Sequence, residues 1–197
     1  MPMTIATDEG GNVMACIDGS HAARADGKGH SDLFATIGKG AMIKFSKKLG
    51  LVTTSSTEAE LVSTGERFPK CAWFHYFRTA QGDAAKEDLL FQDDESQTLL
   101  RKNYPFSIGK VTKYINTRCS FIVDEAEKKE SKVANCPTED VIAHYSTKPT
   151  QGGLFVLQRN MIQVITPKDF KMNKAWHERV LRKYDLWEDE ESNLTDI

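Results

Sequence analysis

Three carboxylates near the ends of predicted secondary-structure elements are the side chains best placed to do chemistry. Asp18 lies at the end of an apolar strand candidate, Glu60 lies in the first turns of a predicted helix, and Asp93 follows a second apolar stretch. A hard cation such as Mg²⁺ prefers oxygen ligands of this kind. Taken singly, Asp18 is more simply explained as a turn residue before Gly19, and Asp93 or Asp94 as a helix cap. The joint pattern favours a metal site.

The stretch TTSSTEAELV holds two glutamates, Glu58 and Glu60, and only one is expected to bind a metal. Ser55 followed three residues later by Glu58 is typical of a capping box, in which the glutamate reaches back to the amide of the cap residue. Glu60 lies about 200° further round the helix, next to Leu61 on the side predicted to face the sheet. A carboxylate there needs a partner, because burying an unpaired charge is costly. We therefore assign capping to Glu58 and chemistry to Glu60.

Five apolar stretches bounded by turn residues predict the strands of an α/β fold. They lie at 12–19, 31–38, 41–48, 88–94 and 131–137. Gly38-Lys39-Gly40 separates the second from the third and indicates a hairpin. Helical spacing of apolar residues predicts helices after the third, fourth and fifth stretches, so the expected order is β-β-β-α-β-α-α-β-α.

The helix that follows Ser55 is expected to kink or break just before Pro69, because proline lacks the backbone donor. Thr138 is the expected cap of the helix after the fifth strand. We divide the chain into a leader, 1–11, a domain, 12–150, and a helical and charged C-terminal extension, 151–197.

The composition is that of an ordinary globular protein, with 40% hydrophobic and 27% charged residues among 197. No run of about 18 apolar residues is visible and no charged-then-apolar leader, so we expect neither a membrane span nor a signal peptide. The expected location is intracellular, either cytoplasmic or nuclear. The four cysteines lie far apart without CxxC spacing, which predicts reduced thiols and argues against a zinc site or a disulfide framework.

The net charge of −2 does not by itself indicate a nucleic-acid-binding protein. Basic residues outnumber acidic ones in 101–150, however, and the reverse holds in 51–100. This division is either chance or a phosphate-binding face opposite a carboxylate cluster.

Five segments resemble, in the same order, the ribonuclease H domain of copia-type (LTR) retrotransposon polyproteins. They read IDGSHAARADGKGHS, SKKLGLVTTSSTEAELVS, FQDDESQTLLRKN, TKYINTRCSFIVDE and CPTEDVIAHYSTKP. The resemblance covers 12–150 and does not reach 166–197. It implies a ribonuclease H-like α/β fold, with a five-stranded mixed sheet flanked by helices. It also implies hydrolysis of the RNA strand of RNA–DNA hybrids with two Mg²⁺ or Mn²⁺ ions.

Carried over by position, the family's first three acids fall on Asp18, Glu60 and Asp93. The fourth falls on His144 in IAHYSTKP, where the family has an acid. Imidazole binds divalent metals, but Mg²⁺ prefers oxygen, so the resemblance implies a weaker fourth ligand or a greater tolerance of Mn²⁺. Asp140, one helical turn earlier, is the alternative fourth ligand.

The resemblance implies an RNA–DNA hybrid as substrate and a reverse transcriptase domain as a partner. Four basic residues are expected to contact phosphates, which position a hybrid without reading its sequence: Lys47, Lys48, Lys113 and Arg118. A second hypothesis stays open because His144 replaces an acid. In it, the chain is a catalytically degenerate ribonuclease H-fold module that binds nucleic acid or has a structural role without cleavage.

Overall fold

The computed structural model describes residues 5–7, 11–83, 88–92, 131–136 and 140–164, with single residues at 120, 124, 128, 176, 178, 179 and 182. The strands in this part of the chain are β1 (Ala6–Thr7), β2 (Met14–Ser20), β3 (His30–Thr36), β4 (Gly38–Lys39), β5 (Ile43–Lys48), β6 (Asp88–Gln92) and β7 (Ser131–Asn135). The helices there are α1 (Ser56–Ala80), α2 (His144–Thr147) and α3 (Gly152–Gln163).

Five of the strands form one mixed sheet in the order β5-β3-β2-β6-β7. The strand β3 is antiparallel to both β2 and β5, whereas β6 and β7 run parallel to β2. The strands β1 and β4 pair separately as a two-stranded sheet. The predicted α/β, ribonuclease H-like fold with a five-stranded mixed sheet flanked by helices is thereby confirmed.

The two faces of the sheet bury separate cores, because successive strand residues point to opposite sides. Val13, just before β2, and Ala15 and Ile17 of β2 pack toward α1 with residues such as Leu33 and Phe68. On the other face, Met14 and Cys16 pack with Phe34, 141–143 and the end of α3. Asp18 continues this second row, so its carboxylate lies on the side of the sheet that α2 covers.

The helix α1 continues through Pro69, so of the predicted kink or break, the break is wrong. Phe68, Cys71 and Phe74, on either side of the proline, are buried against the sheet, and this packing outweighs the lost backbone hydrogen bond. The helix after β7 is shorter than predicted, since α2 begins only at His144. Thr138 lies outside the described residues, as do the helices predicted between β6 and β7 apart from isolated positions.

Three of the four cysteines, Cys16, Cys71 and Cys136, are free and buried, as predicted, and Cys119 lies outside the described residues. Burial raises the pKa of the Cys16 and Cys71 thiols to about 12, which keeps them protonated and unreactive. No helix among the described residues is long and apolar enough to cross a membrane.

Candidate active site

Asp18 is the centre of a buried polar cluster, and only 2% of it is exposed. The Nε2 atom of His144 lies 3.2 Å from Asp18 Oδ1, and the Thr147 hydroxyl donates to Oδ2. Burial by itself raises the pKa of Asp18, but the contact and charge of His144, the Thr147 hydrogen bond and the charge of Lys148 together lower it below its usual value. The carboxylate is therefore held ionised by the residues of α2 and by the lysine that follows it.

Glu60 reaches the same strand from α1. Its Oε2 atom accepts a hydrogen bond of 3.0 Å from the backbone N–H of Gly19, the residue after Asp18. A Cβ atom on Gly19 would lie 2.5 Å from the Ala59 carbonyl oxygen and 2.4 Å from Ser63 Oγ. Glycine at this position thus allows α1 to approach β2 closely enough for Glu60 to bind there.

Glu58 caps α1, as predicted. Its backbone N–H donates to Ser55 Oγ at 3.1 Å. Its carboxylate accepts from the N–H and the hydroxyl of Thr54, both at 2.6 Å. The prediction that this carboxylate bonds the amide of Ser55 is therefore wrong, since its partner is the preceding residue, Thr54. The structure separates the two glutamates, with Glu58 at the helix terminus and Glu60 against β2.

Lys148 lies beside His144, with its Nζ atom 2.8 Å from His144 Nε2. Since Nε2 carries at most one hydrogen, it either donates to Asp18 or accepts from Lys148. Asp140, the alternative fourth ligand, is bonded instead to the Arg179 side chain. His144 is thus the one of these two that the structure brings to Asp18.

Of the other predicted site residues, Asp93, Lys113 and Arg118 lie outside the described residues. Lys47 and Lys48 lie on the edge strand β5, and Lys48 pairs with Asp26 at 2.9 Å.

Sequence reasoning missed a second carboxylate beside Asp18. Asp32 lies directly opposite it on β3, is fully buried and forms an ion pair with Lys44. Burial raises the pKa of Asp32 to about 6, although Lys44 acts in the opposite direction. The alternation of SDLFA could have indicated an acid in line with the buried Phe34. Its position opposite Asp18 depends on the pairing register, which the sequence leaves open.

The donor chemistry at the junction of β2 and α1 fits a divalent cation in part. Asp18 and Glu60 supply carboxylate oxygens, the ligands that Mg²⁺ and Mn²⁺ prefer, and His144 supplies a nitrogen. Within the described ranges, no three His, Cys, Asp or Glu side chains gather into a metal-binding group. Asp18 and Glu60 could thus supply two ligands, and a complete set needs further donors.

The strand order and the position of Asp18 within it define a ribonuclease H-like fold with a polar site at one end of the sheet. Similar solved structures include LC11-RNase H1, isolated from compost by a metagenomic approach, at 17% identity and a TM-score of 0.46, covering 66% of this chain and 86% of that one. The RuvC of Thermus thermophilus is another, at 12% identity and a TM-score of 0.30, and the match covers 85% of this chain and 96% of that one. No protein-family model matches the sequence, and no curated protein matches it.

Proposed function

We propose that the protein is a metal-dependent endonuclease that hydrolyses the RNA strand of RNA–DNA hybrids, associated with a reverse transcriptase of a copia-type retrotransposon. The observation that carries this proposal is the hydrogen bond that joins Glu60 to the strand of Asp18. Glu60, 42 residues further along the chain, accepts it from the residue next to Asp18, and Asp18 and Glu60 are two of the three acids that the sequence resemblance assigns to metal binding.

In this proposal Asp18, Glu60 and Asp93 bind two Mg²⁺ or Mn²⁺ ions, with His144 as the fourth ligand. When bound, such ions supply an activated water and charge stabilisation for the leaving 3′ oxygen. The hydrogen bond from Gly19 holds Glu60 in place, and Thr147 orients the Asp18 carboxylate. Because the pKa of Asp18 is lowered, no proton has to leave this side chain before an ion binds at neutral pH.

The proposed substrate is a hybrid duplex because the basic residues suit its phosphates. Lys47 and Lys48 on β5, with Lys113 and Arg118, would contact the backbone without reading sequence. Discrimination in favour of RNA would come from contacts to 2′-hydroxyl groups across the wide minor groove.

A cleavage assay on three substrates tests the proposal. The purified chain is incubated with an end-labelled RNA–DNA hybrid, an RNA duplex and a DNA duplex, each with Mg²⁺, Mn²⁺ or EDTA. We expect cleavage of the RNA strand of the hybrid alone, and only with a metal. Cleavage of the DNA duplex at an equal rate would contradict the substrate, and the absence of any cleavage would contradict the activity.

The contacts of His144 favour a second candidate function, a ribonuclease H-fold module that binds nucleic acid without cutting it. His144 and Lys148 together place a cationic group and a nitrogen next to Asp18, where they compete with an ion for the carboxylate. His144→Asp separates the two candidates. In a nuclease this variant should raise Mg²⁺-supported cleavage relative to Mn²⁺-supported cleavage, whereas a binding module should retain hybrid binding in EDTA with no cleavage in either metal.

A further inference from the structure

Four aromatic side chains are exposed together on the outer side of α1 and β5. Phe45, Trp73, Tyr76 and Phe77 are between 39% and 62% exposed, with Trp73 the most exposed. The rings of Trp73 and Phe77 stack, with centroids 5.4 Å apart and planes inclined by 18°. Together with Lys70 these four residues form what we call the aromatic surface.

Positive charge is interleaved with these rings. The Nζ atom of Lys70 lies 4.5 Å from the centroid of the Phe45 ring. The buried guanidinium of Arg67 lies 5.9 Å from the same ring. Lys47 is exposed two residues after Phe45 on β5, so it lies on the same face of that strand. The aromatic surface therefore offers both flat π faces and ammonium groups.

A second exposed apolar patch shows that this combination is specific. Leu154, Phe155, Val156 and Leu157 at the start of α3 are exposed to a similar degree. That patch is mainly aliphatic, and its aromatic ring, Phe155, stacks on Tyr145 at 5.1 Å. Both patches have apolar area that a protein interface could bury, so apolar area by itself does not distinguish them. Rings with adjacent ammonium groups suit a ligand that carries both bases and phosphates.

The aromatic surface is close to the candidate active site without being part of it. Trp73 follows Glu60 by thirteen residues of α1, about 20 Å along the helix axis. Lys47 is paired with Ser31, which is paired with Gly19, so it lies about 10 Å from Gly19 across two strand spacings. Lys47 is therefore near the candidate active site and, on β5, only two residues from Phe45 of the aromatic surface.

We propose that the aromatic surface binds single-stranded nucleic acid. Bases stack on the pair formed by Trp73 and Phe77, and phosphates bind Lys70 and Lys47. A single strand is the ligand that fits, because a duplex keeps its base faces stacked inside. The proposal goes beyond the cleavage activity and does not depend on it, since binding here requires no metal.

Fluorescence anisotropy with a dye-labelled single-stranded oligonucleotide tests this in EDTA, where no metal-dependent cleavage occurs. Trp73→Ala should raise the Kd about tenfold, because stacking contributes about 1–3 kcal/mol per base. Lys70→Ala should make the plot of log K against log salt concentration less steep, by about one unit of slope. Leu157→Ala on α3 is the matched control, which removes exposed apolar area elsewhere and should leave the Kd within about twofold. Far-UV circular dichroism confirms that each variant is folded.

Three results would overturn the proposal. The first is a parent that binds a blunt-ended DNA duplex as tightly as the single strand, and the second is a Trp73→Ala variant that binds like the parent. The third is a parent dimer that Trp73→Ala dissociates without changing oligonucleotide binding, which would assign the surface to a second copy of the chain. None of these results depends on the cleavage assay, so a failure of the proposed nuclease activity is observed separately.

Discussion

Two aspartates of the same sheet each face a histidine from a helix, and the two aspartate–histidine pairs differ in what surrounds them. In one, His144 Nε2 lies 3.2 Å from Asp18; in the other, His75 Nδ1 lies 3.1 Å from Asp88. Burial is the largest influence on both carboxyl pKa values. Asp18 nevertheless has a lowered pKa because Thr147 and Lys148 also favour its ionised form. The pKa of Asp88 is raised, since His75, the Val13 amide and Arg78 do not offset its burial.

The difference shows that an aspartate–histidine contact alone does not make a site. Asp88 ties the start of β6 to α1 and to the N–H of Val13, which is a structural role. Asp18 has two further carboxylates near it. Glu60 is bonded to the neighbouring residue, Gly19, and Asp32 lies opposite Asp18 on β3. Keeping two buried acids and a half-buried one in neighbouring positions costs stability. The structure bears this cost at one end of the sheet, where the candidate active site lies.

The largest predicted contrast between the pairs is in cleavage. Asp18→Asn should lower the rate of hybrid cleavage by about 10³-fold or more, because it removes a proposed metal ligand, and such a ligand contributes several kcal/mol to stabilising the transition state. The matched change Asp88→Asn should leave the rate within about threefold. Initial rates on the labelled hybrid check this. Equal loss in both variants would mean that the two pairs do not differ in role.

Asp32 is predicted to make the parent less stable as the pH rises. Its pKa is 3.8 unfolded and about 6 folded, so the stability from its buried neutral form is present below pH 3.8 and lost as the pH rises through about 6. The shift corresponds to about 3 kcal/mol. Urea unfolding of the parent and of Asp32→Asn from acid to neutral pH should therefore show the parent losing about this much relative to the variant. Parallel profiles would contradict the predicted pKa shift.

The two pairs should also change the stability of the protein with pH in opposite directions, as urea unfolding would measure it. The lowered pKa of Asp18 adds stability above its unfolded value of 3.8, which is lost as the pH falls. The raised pKa of Asp88 adds stability below 3.8, which is lost as the pH rises. Relative to its Asn variant, the parent should gain stability with rising pH at Asp18 and lose it at Asp88. The same sign for both would remove the distinction between the pairs.

The smallest predicted effect is that of the cap. Glu58→Ala should lower the free energy of unfolding by about 1 kcal/mol, because it removes the contacts to Thr54 at the start of α1. Thermal unfolding followed by circular dichroism measures this. A loss of metal binding along with the loss of stability would assign Glu58 to the site as well.

Much of this fold was predictable because each central strand is an apolar run bounded by turn residues. All five predicted strands overlap β2, β3, β5, β6 and β7. The continuity of α1 through Pro69 was not predictable, since it depends on packing between α1 and the sheet. The small β1–β4 sheet was missed for a different reason, because the two residues of β1 carry no periodicity.

The candidate site likewise has residues that were predictable from sequence and residues that were not. Motif spacing was sufficient to single out Asp18, Glu60 and His144, because the resemblance orders them along the chain. Asp32 and Lys148 needed three-dimensional information: the first depends on the register between β2 and β3, and the second on the course of the chain after His144. The pairing of His75 with Asp88 likewise joins residues that no local pattern connects.

The most direct test of the account compares the two glutamates in one cleavage assay. Glu60→Gln and Glu58→Gln are the same chemical change two residues apart, and only Glu60 is bonded to the residue beside Asp18. The account predicts that, with Mg²⁺ or Mn²⁺, Glu60→Gln cleaves the RNA strand of a hybrid about 10³-fold more slowly than the parent, whereas Glu58→Gln cleaves it at nearly the parental rate. A fully active Glu60→Gln variant, or an equal loss in both, would contradict the assignment of Glu60 to the active site.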